Sequence, residues 1–205
     1  TLAGTPGVNG NVDATGAAAS FDSPTGITTD GTHLFVADSH NHSVRKIAIA
    51  TGEVTTLAGN TEAGDIDGVG TAASFDRPSG LTTDGKNLYV TDQRNHNIRK
   101  ILIATGEVTT LSGTTGKPGN VDGSGAAAKF SFPESITTDG THLYVADSNN
   151  NNIRKIVIAN GDVTTLAGGD RKDVAASFNY PAGITSDGVN LFVADTANNS
   201  IRKIY

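Results

Sequence analysis

The chain has 205 residues, a net charge of −6, 36% hydrophobic residues and no cysteine. A folded chain of this size buries roughly 70% of its unfolded surface, so it needs no staple, and without cysteine it has neither a disulfide framework nor a thiolate metal site. The acidic balance argues against nucleic acid, whose binding needs a basic stripe, and no apolar run approaches the ~18 residues of a membrane-spanning helix.

No secretory leader pattern opens the chain, which begins with Thr1; a processed chain and a segment of a longer one both fit that start. The opening Thr1-Leu2-Ala3-Gly4 matches Thr56-Leu57-Ala58-Gly59 and Thr165-Leu166-Ala167-Gly168. Next comes Phe21-Asp22-Ser23-Pro24, which recurs as Phe75-Asp76-Arg77-Pro78, Phe130-Ser131-Phe132-Pro133 and Phe178-Asn179-Tyr180-Pro181. Each copy continues with an Ile or Leu, an Asp-Gly pair, a Phe or Tyr, an Asp and Arg-Lys-Ile. A period of roughly 50 residues built from short extended pieces means stacked or radially arranged units, each burying its faces against its neighbours.

Within the first copy, turn residues separate four extended segments: Gly26 to Thr29, His33 to Ala37, Ser43 to Ala50 and Glu53 to Ala58. Asp30-Gly31, repeated as Asp84-Gly85, Asp139-Gly140 and Asp187-Gly188, predicts a tight hairpin with both central residues at positive φ. Thr51-Gly52, Thr105-Gly106 and Asn160-Gly161 predict a second hairpin. The runs Ala17 to Phe21, Ala72 to Phe75, Ala126 to Phe130 and Ala175 to Phe178 suit a single helical turn each. Four strands per unit, repeated radially, make a propeller blade. The expected fold is all-β, a four-bladed β-propeller of four-stranded antiparallel blades forming one domain over residues 1–205. Its units run about 5–59, 60–113, 114–168, and 169–205 plus 1–4. The chain stops at Ile201-Arg202-Lys203-Ile204-Tyr205, the end of a third strand. The N-terminal strand is therefore expected to complete the last blade, closing the ring and removing an exposed edge.

Val36-Ala37-Asp38-Ser39-His40-Asn41-His42-Ser43-Val44-Arg45-Lys46-Ile47 resembles the core of an NHL repeat, named for Asn-His-Leu. The Asn-His pair stands as Asn41-His42 and Asn95-His96 and departs to Asn150-Asn151 and Asn198-Asn199; the third letter is never Leu. Pro24 to Ile27 and Pro181 to Ile184 also fit, with Ser135 replacing Gly in the third copy. The resemblance implies a propeller that binds proteins, RNA or other ligands, with enzymes a minority; it implies architecture strongly and activity weakly.

In such a blade the second-to-third-strand loops and the blade-to-blade loops share one end, where rigid scaffolds carry binding residues. The candidate ligand-binding set there is His40, Asn41, His42, Arg94, Asn95, His96, Asn149, Asn151 and Asn199. Against it, Asn tolerates left-handed backbone and bonds its own turn, so the Asn ladder can be a set of turns. Asp38, Asp92, Asp147 and Asp195 each precede Arg45, Arg99, Arg154 and Arg202 by seven residues. Repetition in every blade marks these as structural ion pairs holding an arginine between blades.

Asp67-Gly68-Val69-Gly70 and Asp122-Gly123-Ser124-Gly125 resemble pieces of a calcium loop, with Asp65 nearby, but supply too few of the six to eight oxygens calcium wants. The fourth copy reads Gly169-Asp170-Arg171-Lys172-Asp173 instead. His33 and His142 follow the Asp-Gly turns and are expected in solvent, and the first strands carry no His. Related propellers such as the peptide-amidating lyase hold a metal near the axis, but no metal, cofactor or catalytic residue is carried over. Asn41-His42-Ser43 and Asn198-Asn199-Ser200 also match the glycosylation pattern.

The expectation is a non-enzymatic module binding a protein or saccharide partner through its loop-rich face, in an extracellular or envelope setting. Alternatives are a structural subunit of a larger surface protein or fibre and a metal-dependent, lyase-like enzyme with an axial pocket. Monomeric and self-assembling states both fit.

Overall fold

The computed structural model describes residues 1–169 and 177–205. Half of the helical turn expected at Ala175 to Phe178, and all of Asp170 to Asp173 of the fourth copy, therefore lie outside the described residues. Two compact units result, Thr1–Arg94 with Arg99–Thr109, and Asn95–Ile98 with Thr110–Tyr205. The fold is all-β, a four-bladed β-propeller.

The first blade comprises β1 (Pro24–Thr29), β2 (His33–Asp38), β3 (Ser43–Ala48) and β4 (Val54–Gly59), hydrogen-bonded in that order. The second has β5 (Gly68–Val69), β6 (Pro78–Thr83), β7 (Asn87–Asp92), β8 (Asn97–Leu102) and β9 (Glu107–Ser112), in the order β5-β9-β8-β7-β6. The third repeats this with β10 (Gly123–Ser124), β11 (Pro133–Thr138), β12 (His142–Asp147), β13 (Asn152–Val157) and β14 (Asp162–Gly168). The last has β15 (Pro181–Ser186), β16 (Leu191–Asp195) and β17 (Ser200–Ile204). In the second and third blades the two-residue strand comes from the loop that precedes the blade and caps its outer edge, which blunts an open ladder. One-turn 3₁₀ helices at Gly16–Ala18, Gly70–Ala72 and Gly125–Ala127 start a residue or two before the runs expected to be helical.

One expected feature is corrected. Among the described residues the last sheet has three strands, and Thr1–Gly4 forms none; the Gly4 N–H instead donates to the Gly16 carbonyl at 3.0 Å, folding the opening residues back onto the first blade.

Within each unit the middle strands bury apolar side chains against the neighbouring blade. In the first unit, Val44 and Ala58 pack against Ala73, Phe75 and Leu81 of the next blade; in the second, Ile153 and Ala167 pack against Phe178 and Ile184. Burial of such aliphatic surface contributes about 25 cal/mol per Å². The innermost strands approach closely. A Cβ at Gly26 would lie 2.9 Å from Leu81 Cδ2 and 3.0 Å from the Gly80 Cα, so only glycine fits there.

The Asp-Gly hairpin also departs from expectation. Thr29 pairs with Leu34, leaving a four-residue loop in which Gly31 has φ 89° and Asp30 does not share its positive φ. The aspartate acts through its side chain: Asp30 Oδ1 accepts the Thr32 and His33 N–H groups at 2.8 and 2.7 Å, an Asx turn. Asp187 does the same for Asn190 and Val189 at 2.7 and 2.9 Å. The backbone N–H of Asn190, then its side-chain amide and the Val189 N–H, lower the Asp187 carboxyl to about 2. Such a depressed acid stabilises the fold above its unfolded pKa of about 3.9, and that contribution disappears as pH falls through the folded value. Thermal melts between pH 5 and pH 2 should therefore show an acid-side loss of stability that is shallower in Asp187→Asn. An identical slope in the variant would contradict this role.

Candidate functional site

Arg45, Arg99 and Arg154 are each fully buried, and an unpaired charge there would be costly. Arg99 shows how the two terminal nitrogens of each are paired, the buried Nε having no partner. One guanidinium nitrogen donates to Asp92 Oδ2 at 2.9 Å and to the Ser74 carbonyl at 2.9 Å; the other donates to Asp67 Oδ1 at 2.7 Å and to the Ile66 carbonyl at 3.1 Å. The guanidinium lies 5.1 Å above the Phe75 ring, a cation–π contact. Arg45 makes the same set with Asp38, Asp13 and Phe21, and Arg154 with Asp147, Asp122 and Phe130. In the last blade Arg202 is 3.5 Å from Asp195 and 31% exposed. Burial, the largest influence, raises the Asp38 and Asp147 carboxyls from the usual range, against side-chain amides, a backbone N–H and the arginine.

Asp13, Asp67 and Asp122 were not read as arginine partners from the sequence, although all three precede their arginines by the same interval. Asp67 and Asp122 belong to the stretches resembling calcium loops; their carboxylates meet guanidinium groups instead. Among the described residues, no three His, Asp or Glu side chains converge as a metal site would require.

The residue before each repeat proline, Ser23, Arg77, Phe132 and Tyr180, has φ between 50° and 53°. Proline disfavours right-handed helical backbone in the preceding residue, and this left-handed alternative turns that residue's N–H outward. The Arg77 N–H donates to His42 Nδ1 at 3.2 Å, the Phe132 N–H to His96 Nδ1 at 3.1 Å and the Tyr180 N–H to Asn151 Oδ1 at 2.8 Å. His42, His96 and Asn151, three of the candidate ligand residues, thus join one blade to the next. Asn199 occupies the same place in the last blade.

Asn41 donates to Asp38 Oδ2 at 2.9 Å and to the Gly10 carbonyl at 2.7 Å, and Asn150 and Asn198 act likewise on Asp147 and Asp195. Asn95 is buried. Of the candidate set this leaves His40, Arg94, Asn149 and Asn199 exposed at the loop tips, with His40 Nδ1 held 3.1 Å from Ser23 Oγ. His33 and His142 sit beside Asp30 and Asp139, each with Nδ1 3.2 Å from a carboxylate oxygen, rather than free in solvent.

The same loop-rich blade end holds a polar cleft that the sequence reading missed. In the third blade it measures 420 Å³ and is lined by Asn120, Val121, Asp122, Asn152, Thr165, Gly168 and Gly169. Asn152, fully buried, donates to Asn120 Oδ1 at 2.8 Å, and its own Oδ1 has no partner. In the first blade Asn11, Ser43, Thr56, Gly59, Asn60, Thr61 and Thr71 line a corresponding cleft of 270 Å³. Its signal was the recurrence of Asn11, Thr56 and Gly59 two repeats later, at Asn120, Thr165 and Gly168.

Glu134 breaks the repeat. It stands on innermost strand β11 where the other copies have Thr25, Ser79 and Ala182. Burial raises its carboxyl above the usual range, opposed by hydrogen bonds with Ser148 and Tyr180.

An NHL repeat family profile matches residues 21–47. Human NHL repeat-containing protein 2 is 38% identical over 65% of this chain and 20% of its own length. The Arabidopsis thaliana chloroplastic protein SUPPRESSOR OF QUENCHING 1 is 36% identical over 76% of this chain and 16% of its own. The chain thus spans about a fifth of the length of the curated relatives it matches. An auxiliary nutrient binding protein from Bacteroides thetaiotaomicron superposes with a TM-score of 0.72 at 20% identity, over 96% of this chain and 54% of that one. At that identity the likeness concerns the fold alone.

Proposed function

We propose that this chain, which belongs to the NHL-repeat β-propeller family, is a non-enzymatic binding module whose loop-rich blade ends hold a protein or saccharide partner. The observation carrying this reading is the polar cleft repeated in the first and third blades, walled mainly by side-chain amides, hydroxyls and glycine backbone, the Asp122 carboxylate of the third being held by Arg154. Such groups offer donors and acceptors suited to saccharide hydroxyls, without a nucleophile and base poised for chemistry. The Bacteroides protein of the same fold is a nutrient binding protein, which supports a binding role. A polar surface rich in Asn, Thr and Gly suits an extracellular or envelope setting.

The test is capture of saccharides on a glycan array by the immobilised chain, repeated with Asn120→Ala. Asn120 is exposed but its Oδ1 accepts from buried Asn152, so Asn120→Ala should cost about 1–3 kcal/mol of stability, read by a thermal melt, while weakening capture about tenfold, the worth of one good hydrogen bond. Capture unaffected by the substitution moves the partner off this cleft. A lyase or hydrolase activity abolished by Glu134→Gln would replace the binding reading with an enzymatic one.

A further inference from the structure

A buried amide oxygen stands unused in the cleft of the third blade. Asn152 is 0% exposed and lines that cleft; its Nδ2 donates to Asn120 Oδ1 at 2.8 Å. This bond fixes the amide and leaves Asn152 Oδ1 without a partner among the described residues. Buried polar atoms are normally paired, so an orphaned acceptor in the wall of a cleft marks a place for a donor from outside. The oxygen lies against Gly168 and Gly169, where an added Cβ would stand 2.9 and 3.0 Å from it. Both glycines have positive φ, 94° and 66°.

The other copies show what the second glycine changes. At the positions of Asn152 and Gly169 the first copy has Ser43 and Asn60, and the second has Asn97 and Thr114. Asn97 is equally buried, with its Nδ2 3.0 Å from Thr115 Oγ1 and its Oδ1 also unpaired among the described residues. There a threonine side chain follows the glycine. Of these three copies only the third joins the asparagine to a second glycine, and its cleft measures 420 Å³ against 270 Å³ in the first. Gly169 is exposed, so the rim beside Oδ1 is bare backbone with the freedom to part for an entering group.

Resting on the binding reading above, we propose that the third-blade cleft is the ligand site and takes a neutral saccharide, one hydroxyl of which donates to Asn152 Oδ1. The groups around it alternate as adjacent hydroxyls require. Thr165 Oγ1 donates to Asp122 Oδ1 at 2.8 Å and keeps lone pairs for a second hydroxyl, while the exposed amide of Asn120 offers N–H donors. Charge of either sign is disfavoured. An anion would face the Asp122 carboxylate and the amide oxygen, because Arg154, which pairs with Asp122 at 2.8 Å, is 0% exposed behind them. A cation would compete with that arginine for the same carboxylate.

Affinity for neutral hexose oligosaccharides, and for counterparts carrying uronate, sialate or amino sugars, tests this on an array and by calorimetry. Neutral chains should bind, and their charged counterparts about tenfold more weakly. Gly169→Asn suits a left-handed backbone, so the thermal melt should hold while neutral binding weakens about tenfold through the side chain set over Oδ1. Asn152→Ser, which takes the residue of the first copy, should weaken it about tenfold by removing the acceptor. Neutral binding that survives both substitutions, or equal binding of neutral and charged chains, overturns this inference and leaves the binding reading standing. Failure to bind any saccharide overturns it too, and leaves that reading with a protein partner. Cleavage of an offered oligosaccharide, seen by mass spectrometry, would overturn the binding reading and this inference with it.

Discussion

Replacing Asp92 by alanine is expected to destabilise the fold by about 3–5 kcal/mol, the range seen when a buried pair loses one partner. Arg99 and Asp92 are both 0% exposed, so the guanidinium left behind cannot turn to water. Asp67 remains beside it but is 49% exposed and offers a solvent-weakened interaction. Asp92 Oδ1 also accepts the Asp76 N–H at 2.7 Å, tying the strand end to the turn before the proline, and that bond is lost too. Urea denaturation of the purified chain measures the cost. Two comparisons isolate the mechanism. Asp195→Ala should cost much less, because Arg202 is partly exposed and farther from its acid. Asp92→Ala with Arg99→Met should recover much of the loss, because a buried charge is removed together with its partner. A single variant with an unchanged urea midpoint would falsify the structural role of the pair.

Phe75→Ala is expected to cost a similar ~3–5 kcal/mol, for a different reason. Its ring is fully buried among Leu81, Leu88 and Val90 and supports Arg99 from below. Truncation leaves a cavity under a guanidinium, which neither collapses well nor fills favourably with water. Phe75→Leu should restore most of the packing and not the cation–π contact, worth about 0.5–2 kcal/mol. Denaturation midpoints ordered wild type, Leu, Ala are the expected result. Equal stability of the Leu and Ala variants would show that filling the site does not matter.

Much of this was legible in the residues alone. The Phe-x-x-Pro period of about 50 residues and the paired turns specify four blades, because local hydrogen bonding depends on near neighbours in the chain. The Asp-x₆-Arg spacing specified the ion pairs, since Arg45 lies two residues along β3 from Ser43, the residue opposite Asp38, and so shares its face of the hairpin. The Asp-Gly turn was mistaken in conformation because its aspartate works through its carboxylate and not through a left-handed backbone. Partners contributed from outside the blade's own strands were not legible. Asp67 reaches Arg99 from the loop that precedes the blade, and His42 reaches Arg77 across a joint between blades. The sequence alone thus determined the repeat, the strands and their internal pairs. Tertiary structure decided which Asn and His side chains are taken up by joints, where polar clefts open, and that Thr1–Gly4 lies on the first blade, because burial and reach across a joint depend on packing in three dimensions.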